Sequence, residues 1–328
     1  MENSPIKKRL TVWNFIFFAL GVLVLVLLLL QINFQDLIQL IVEINITYLF
    51  LGAGLYLCKG LIRALRFTRV IDQSQTSYPK MVRLTFASSL ASQVLPFKLG
   101  ELTYVYLLKR ENRASISSGL SSLLVIRLLD LLAVALLFIL AALFFPLSGS
   151  LAIFFGYILG FIVLLLAGIL LIIFISGKTE FLDGFLSRIP WVQKYAVLTR
   201  LKDWGIHFLL ELKPFRWSQY IQWAALASLE WAVNFAVFHS LLLGFGLNPS
   251  IFDTVTSVTF SVLASVLPIN SLGNFGTQEV GWSAALTLLG YSKEAAISSG
   301  FATHLITLGY FLIYGGLSWI SYLFSKND

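Results

Sequence analysis

The sequence predicts an all-α polytopic integral membrane protein, with about six full spans and two re-entrant helical hairpins in an inverted-topology repeat. Three observations predict it. Of 328 residues, 58% are hydrophobic and 12% charged, and the mean hydropathy is +0.86. A soluble domain carries roughly twice that share of charge. Apolar runs of spanning length recur along the chain. Two further apolar stretches are each interrupted by Pro, Gly and charged or amide side chains. Broken backbone and charge survive at membrane depth only beneath protein or beside a wet cavity.

The first run, Val12 to Leu30, follows Lys7, Lys8 and Arg9. It is longer than the apolar part of a signal peptide, and Gln31 to Asp36 (QINFQD) offers no small-residue cleavage site. The expectation is an uncleaved span with a cytoplasmic N-terminus. Further spans are expected at about 45–69, 116–145, 150–176, 217–244 and 294–324. The interrupted stretches lie at about 81–108 and 254–290. In the first, Pro96 removes a backbone donor and disfavours helix at Leu95, and Gly100 follows four residues later. A hairpin that turns there and leaves on its own side keeps Lys109, Arg110 and Arg113 inside with Arg63, Arg66, Arg69, Lys80 and Arg83. The second must return to the outside for the last span to end at Lys326 in the cytoplasm.

Two domains of opposite topology follow. Residues 1–149 read as span 12–30, span 45–69, hairpin 81–108 and span 116–145. Residues 150–328 read as span 150–176, a cytoplasmic amphipathic segment 177–216, span 217–244, hairpin 254–290 and span 294–324. Transporters built as inverted repeats place such broken helices near the midplane. Leu95–Glu101 (LPFKLGE) answers Leu267–Glu279 (LPINSLGNFGTQE), Lys59 answers Glu230, and Arg127 answers His304. Between the halves, Trp191, Tyr195, Leu198, Leu201, Trp204, Phe208 and Leu212 recur at helical spacing. Pro190 opens this segment and Pro214 closes it. It reads as one helix lying on the cytoplasmic membrane surface or packed on the protein.

The candidate site residues are the polar groups at the breaks and the charges within spans. Lys98 and Glu101 either hold a lipid head group or pair to seal the hairpin tip. Gln278 and Glu279, with Asn270, Ser271 and Asn274, form the matching polar tip, or else satisfy backbone at a broken helix. Arg127 and Asp130 sit one turn apart, so they can pair within the helix. Alternatively Arg127 reaches Glu101 or a phosphate, for which its planar fork is suited. Lys59, Arg63 and Arg66 share a helix face. Arg66 is expected to snorkel to the interface, whereas Lys59 lies too deep to do so and has Glu230 as its candidate partner. His207, His239 and His304 lack ligand spacing, and no nucleotide, nucleophile-elbow or zinc-protease motif occurs, so no cofactor or metal is expected. Lone Cys58 reads as a small apolar residue. The net charge of +7 is spread over short loops, which reads as topology and not as nucleic-acid binding.

The runs ASQVLPFKLGEL, RLLDLLAV and LPINSLGNFGTQE resemble the flippase-like transmembrane region of lysylphosphatidylglycerol synthases and their stand-alone relatives. Gly100, Glu101, Arg127, Asp130, Pro268, Gly273, Gly276 and Glu279 match that family's pattern. Gln93 stands near its Asn, Lys98 at its first Arg, Tyr104 at its second Arg and Ile126 at a Glu. The resemblance covers nearly the whole chain. It implies translocation of a polar lipid, and Gln93 joins the substrate-binding candidates. In the synthases an aminoacyl-transfer domain follows; this chain ends at Asp328, and no synthase activity is expected. The sequence is thus read as a non-enzymatic translocator of a phospholipid or isoprenoid-linked lipid in the cytoplasmic membrane. A lipid-modifying enzyme or a second copy is its candidate protein partner. The rival readings are a membrane-embedded transferase acting on lipid phosphates and a scaffold for a lipid-modifying complex.

Overall fold

The computed structural model describes residues 23, 25–31, 34–71, 77–95, 99–112, 116–145, 149–176, 178–212, 217–266 and 275–324. Every regular element among them is an α-helix. After a helical segment at 25–29 come α1 (Phe34–Val42), α2 (Ile46–Val70), α3 (Tyr78–Val94), α4 (Leu99–Asn112), α5 (Ile116–Ala142) and α6 (Ser150–Ser176). The connecting segment holds α7 (Thr179–Ser187), α8 (Pro190–Lys194) and α9 (Ala196–Leu212). The chain continues with α10 (Trp217–Gly244), α11 (Ile251–Val266), α12 (Thr277–Leu288) and α13 (Lys293–Phe324). Among the described residues four helices, within α2, α5, α10 and α13, are long and apolar enough to cross a bilayer. The expected span at 12–30 lies largely outside the described residues, and that at 150–176 forms α6.

Helix ends follow local chemistry. Asn45 caps α2, its side-chain oxygen accepting from Thr47 N at 2.9 Å, while its own N–H donates to the Gly244 carbonyl at the end of α10 (3.0 Å). That bond registers α2 against α10, and the two pack along their lengths. Tyr310 and Tyr314 of α13 donate to the Leu49 and Ala53 carbonyls of α2 at 2.7 and 3.0 Å. Trp319 donates to the Ala87 carbonyl of α3 at 3.0 Å, so α13 covers α3. In the same manner α5 lies against α11.

The two interrupted stretches double back. In the first, a Cβ added to Gly100 would run into the backbone of Ala91 and Ser92. At the other end Arg83 bonds Glu111 at 3.0 Å, closing the base of the α3–α4 pair. In the second, a Cβ at Gly281 would strike the Phe260 carbonyl and come within 2.8 Å of Ser261 Cα. There Tyr291 closes the base of the α11–α12 pair by donating to Asp253 at 2.9 Å. Both pairs are thus zipped by glycine near the turn and by a polar bond at the open end.

The amphipathic segment departs from the single helix expected over 191–212. Tyr195 adopts extended backbone (φ −110°, ψ 112°) and separates α8 from α9. Helix α9 packs on α5, α6 and α7, while Trp191, Tyr195, Leu201 and Trp204 stay exposed. The protein is a membrane protein, and its surface agrees with that. Large apolar side chains such as Phe144 (82%), Leu164 (73%) and Leu317 (62%) lie open over the outer helices, far beyond what a water-exposed surface carries.

Gly281→Ala and Gly100→Ala should each cost about 1–3 kcal/mol through overpacking. Both variants should melt below the parent in detergent, read by tryptophan fluorescence. Gly54→Ala, with nothing within 4 Å of the added carbon, should melt no lower. Equal melting of all three would contradict the close approach.

Candidate functional site

The site grows from one face of α2. Lys59, Arg63 and Arg66 leave it at i, i+4 and i+7, and the packing of α10 and α5 sets carboxylates opposite them. Arg66 is fully buried. Its guanidinium lies 2.7 Å from Asp130 of α5 and 3.0 Å from Glu230 of α10. The expected snorkelling of Arg66 is therefore corrected: two carboxylates brought from distant parts of the chain hold it inside. A buried cation needs such partners, because leaving water costs several kcal/mol per ion. Trp231 donates to Asp130 at 3.1 Å, and Arg63 stands 3.9 Å from Glu230.

The expected Lys59–Glu230 pair is also corrected. Glu230 is taken by Arg66 and Arg63, and Lys59 Nζ donates to Asn234 Oδ1 at 2.8 Å. The ammonium sits over the rings of Tyr56 (5.0 Å) and Phe311 (6.0 Å). Among the described residues it has no carboxylate within ion-pair distance.

Each doubled-back pair offers a glutamate just past its break. Glu101 receives Arg127 Nη2 at 2.7 Å and Nε at 3.3 Å, a two-point contact between α4 and α5. Arg127 also lies 3.8 Å from Asp130 on its own helix, so both alternatives for it occur together. Glu279 bonds His304 Nδ1 of α13, and its other oxygen accepts from the Gly276 N–H at 2.7 Å. The second bond caps the start of α12. The ring of Phe275 stacks on that of His304 with centroids 4.1 Å apart.

Apart from Arg66, Phe275 and Gly276, these groups line one cavity of about 430 Å³. Of the sequence-predicted site residues, Lys59, Gln93, Glu101, Arg127, Asp130, Gln278 and Glu279 line it. Lys98, Asn270 and Asn274 lie outside the described residues. Tyr104, at the place of the family's second Arg, also lines the cavity; its hydroxyl is 3.2 Å from Ser122 Oγ and its ring meets Phe67 edge-on. Three contributors escaped the sequence reading as site residues: Asn234, Trp231 and His304. Asn234 follows Glu230 by one turn, a spacing that could have placed both on the α10 face toward α2. His304 was signalled only by its correspondence with Arg127. Among the described residues no cluster of three or more metal-ligating side chains occurs.

A family model described as lysylphosphatidylglycerol synthase TM region matches residues 14–316. No curated protein and no solved structure matches the chain.

Arg66→Leu should leave Asp130 and Glu230 buried without their cation and destabilise the fold by about 3–5 kcal/mol. The expected result is loss of the monodisperse peak in size-exclusion chromatography. Combining it with Asp130→Asn and Glu230→Gln should restore much of that peak. A stable single variant would show that Arg66 does not hold the helices together.

Proposed function

The chain belongs to the lysylphosphatidylglycerol synthase TM region family, and on that premise we propose that it moves a polar or phosphate-bearing lipid head group across the cytoplasmic membrane. On this reading α3–α4 and α11–α12 are re-entrant hairpins that enter from opposite faces. They belong to two inverted halves, 1–149 and 150–328, with six full spans in all and both termini in the cytoplasm. The packing supports the halves: α3 lies on α13 as α11 lies on α5, the exchange expected when each hairpin docks on the last span of the other half.

The observation that carries the proposal is the cavity. It is lined from both doubled-back pairs, and of its basic side chains Lys59 and Arg127 are able to take a phosphate. Its volume falls within the roughly 300–1,000 Å³ usual for small-molecule sites. Lys59 has only a neutral hydrogen-bond partner among the described residues. Arg127 is bound to Glu101, but their side chains keep 38% and 24% of their exposure. Such a pair can exchange its carboxylate for a phosphate of the same two-point geometry. Ser88, Ser92, Gln93 and Gln278 add neutral polar groups for the remaining oxygens. The acyl chains would stay in the bilayer, so only the head group is desolvated. The step is non-covalent, a transporter's and not an enzyme's, and a phospholipid or isoprenoid-linked phosphate suits it equally. A lipid-modifying enzyme or a second copy remains its proposed protein partner.

Glu101→Gln removes the carboxylate that returns Arg127 to its resting contact. Movement of fluorescent phospholipids in proteoliposomes should fall at least about tenfold, the scale of one hydrogen bond to a charged group. The melting temperature should stay near the parent's because the pair is partly exposed. Undiminished movement would remove Glu101 from the mechanism. Failure of the parent to move any of a panel of anionic, zwitterionic and isoprenoid phospholipids would contradict the proposal.

A further inference from the structure

Each doubled-back pair presents a glutamate to the helix that follows, and the partners differ in kind. Arg127 holds Glu101 across a sequence separation of 26 residues. His304 holds Glu279 across 25. Arginine stays charged at every pH a cell meets, whereas histidine ordinarily titrates between about pH 5 and 8. The second pair is also deeper: Glu279 is 0% exposed and His304 6%. Nδ1 of His304 is engaged by Glu279, and its ring is held flat against Phe275. Its Nε2 is buried and has no hydrogen-bond partner among the described residues. Both side chains line the cavity.

We infer that Glu279 and His304 form a proton-binding site and that a proton is the ion coupled to movement of the α11–α12 pair. The cargo in this inference rests on the lipid-translocation reading; the proton site does not. With Nδ1–H donated to the carboxylate, Nε2 carries the imidazole lone pair. A proton taken from the cavity forms the Nε2–H bond and makes an imidazolium facing the Glu279 carboxylate. The contact gains the opposite charge and becomes an ion pair of the kind Arg127 and Glu101 make permanently. Loss of that proton back to the cavity returns a single bond from a neutral ring and loosens the start of α12 from α13. Acid therefore tightens the second pair and alkali releases it, while the first pair keeps one strength throughout.

Other ionisable groups surround this pair. On α11, Asp253 is held by Tyr291 and by the Ser250 N–H. On α10 stand Glu230 and His239, the latter bonded to Thr254. Helix α1 carries Asp36 with Glu43 just past its end, α3 carries Lys80 and Arg83, and α13 itself begins with Lys293 and Glu294. Helix α2 brings Lys59, Arg63, Arg66 and Arg69, and the far wall of the cavity brings Glu101, Arg127 and Asp130. Of these groups only His239 is also a histidine, so the test changes residue 304 and leaves 239 intact.

Gln278→Cys in a Cys58→Ser chain reports on the start of α12. Its rate of labelling by a membrane-impermeant maleimide in proteoliposomes, normalised to the unfolded chain, is measured from about pH 5.5 to 8. The expected rate rises about tenfold with pH, the scale of pairing a carboxylate with a cation in place of a neutral donor. With His304→Arg added, the rate should stay low and flat; with His304→Gln, which cannot bind the proton, it should stay high and flat. A flat rate in the His304 chain, or an equal rise in either variant, would overturn the proton site. Phospholipid movement under an imposed pH gradient is followed in separate, unlabelled vesicles that hold the chain with Gln278 unchanged. Gradient-driven movement lost in His304→Arg is expected. Movement indifferent to the gradient would overturn the coupling and leave the lipid reading standing. A pH-dependent label without lipid movement would overturn the lipid reading and leave the proton site standing.

Discussion

Arg66 sets the interior. A guanidinium with no exposure is stable only because Asp130 and Glu230 reach it, and these carboxylates come from helices a hundred residues apart in sequence. Removing Arg66 leaves two buried carboxylates without their close cation, the most costly kind of defect a core can carry. The contact forces α2, α5 and α10 to meet at one depth. Trp231 reinforces it from α10, and a large apolar cluster including Phe67, Leu107, Ile126 and Trp223 closes around it. The cavity opens beside this junction because Lys59 and Arg63 extend the same face of α2 beyond it.

Around that fixed centre the ionic contacts become progressively easier to exchange. Arg66 is sealed, Arg63 reaches Glu230 at a long 3.9 Å, and Arg127 meets Glu101 with both side chains partly open. Charges that hold the fold and charges that could greet a ligand are therefore different residues. The doubled-back helices need separate support, and they have it in backbone contact at Gly100 and Gly281. A side chain at either position would separate the two arms and carry Glu101 or Glu279 away from its partner.

Much of this was legible in the sequence. Pro96, Gly100 and the polar run around Asn270 to Glu279 marked the two interruptions, and loop charges suggested how they thread. Lys59, Glu230, Arg127 and His304 stood out as ionisable groups within apolar runs, and all four line the cavity. The partners were not legible, because which cation meets which carboxylate depends on helix rotation and register that no local signal carries. Arg66 looked like an interfacial side chain from its place near a basic cluster; only tertiary packing brings Asp130 and Glu230 to it. The break at Tyr195 was hidden for a related reason: apolar spacing continues across it, so periodicity alone reports one helix where the backbone makes two.

In the proposed arrangement, two helix pairs enter from opposite faces toward one cavity. Single cysteines at exposed positions near their open ends, Arg110→Cys and Ser292→Cys in a Cys58→Ser chain, read that arrangement directly. Intact cells treated with a membrane-impermeant maleimide should label position 292 and spare position 110 until the membrane is permeabilised. Labelling of position 110 from outside would contradict it.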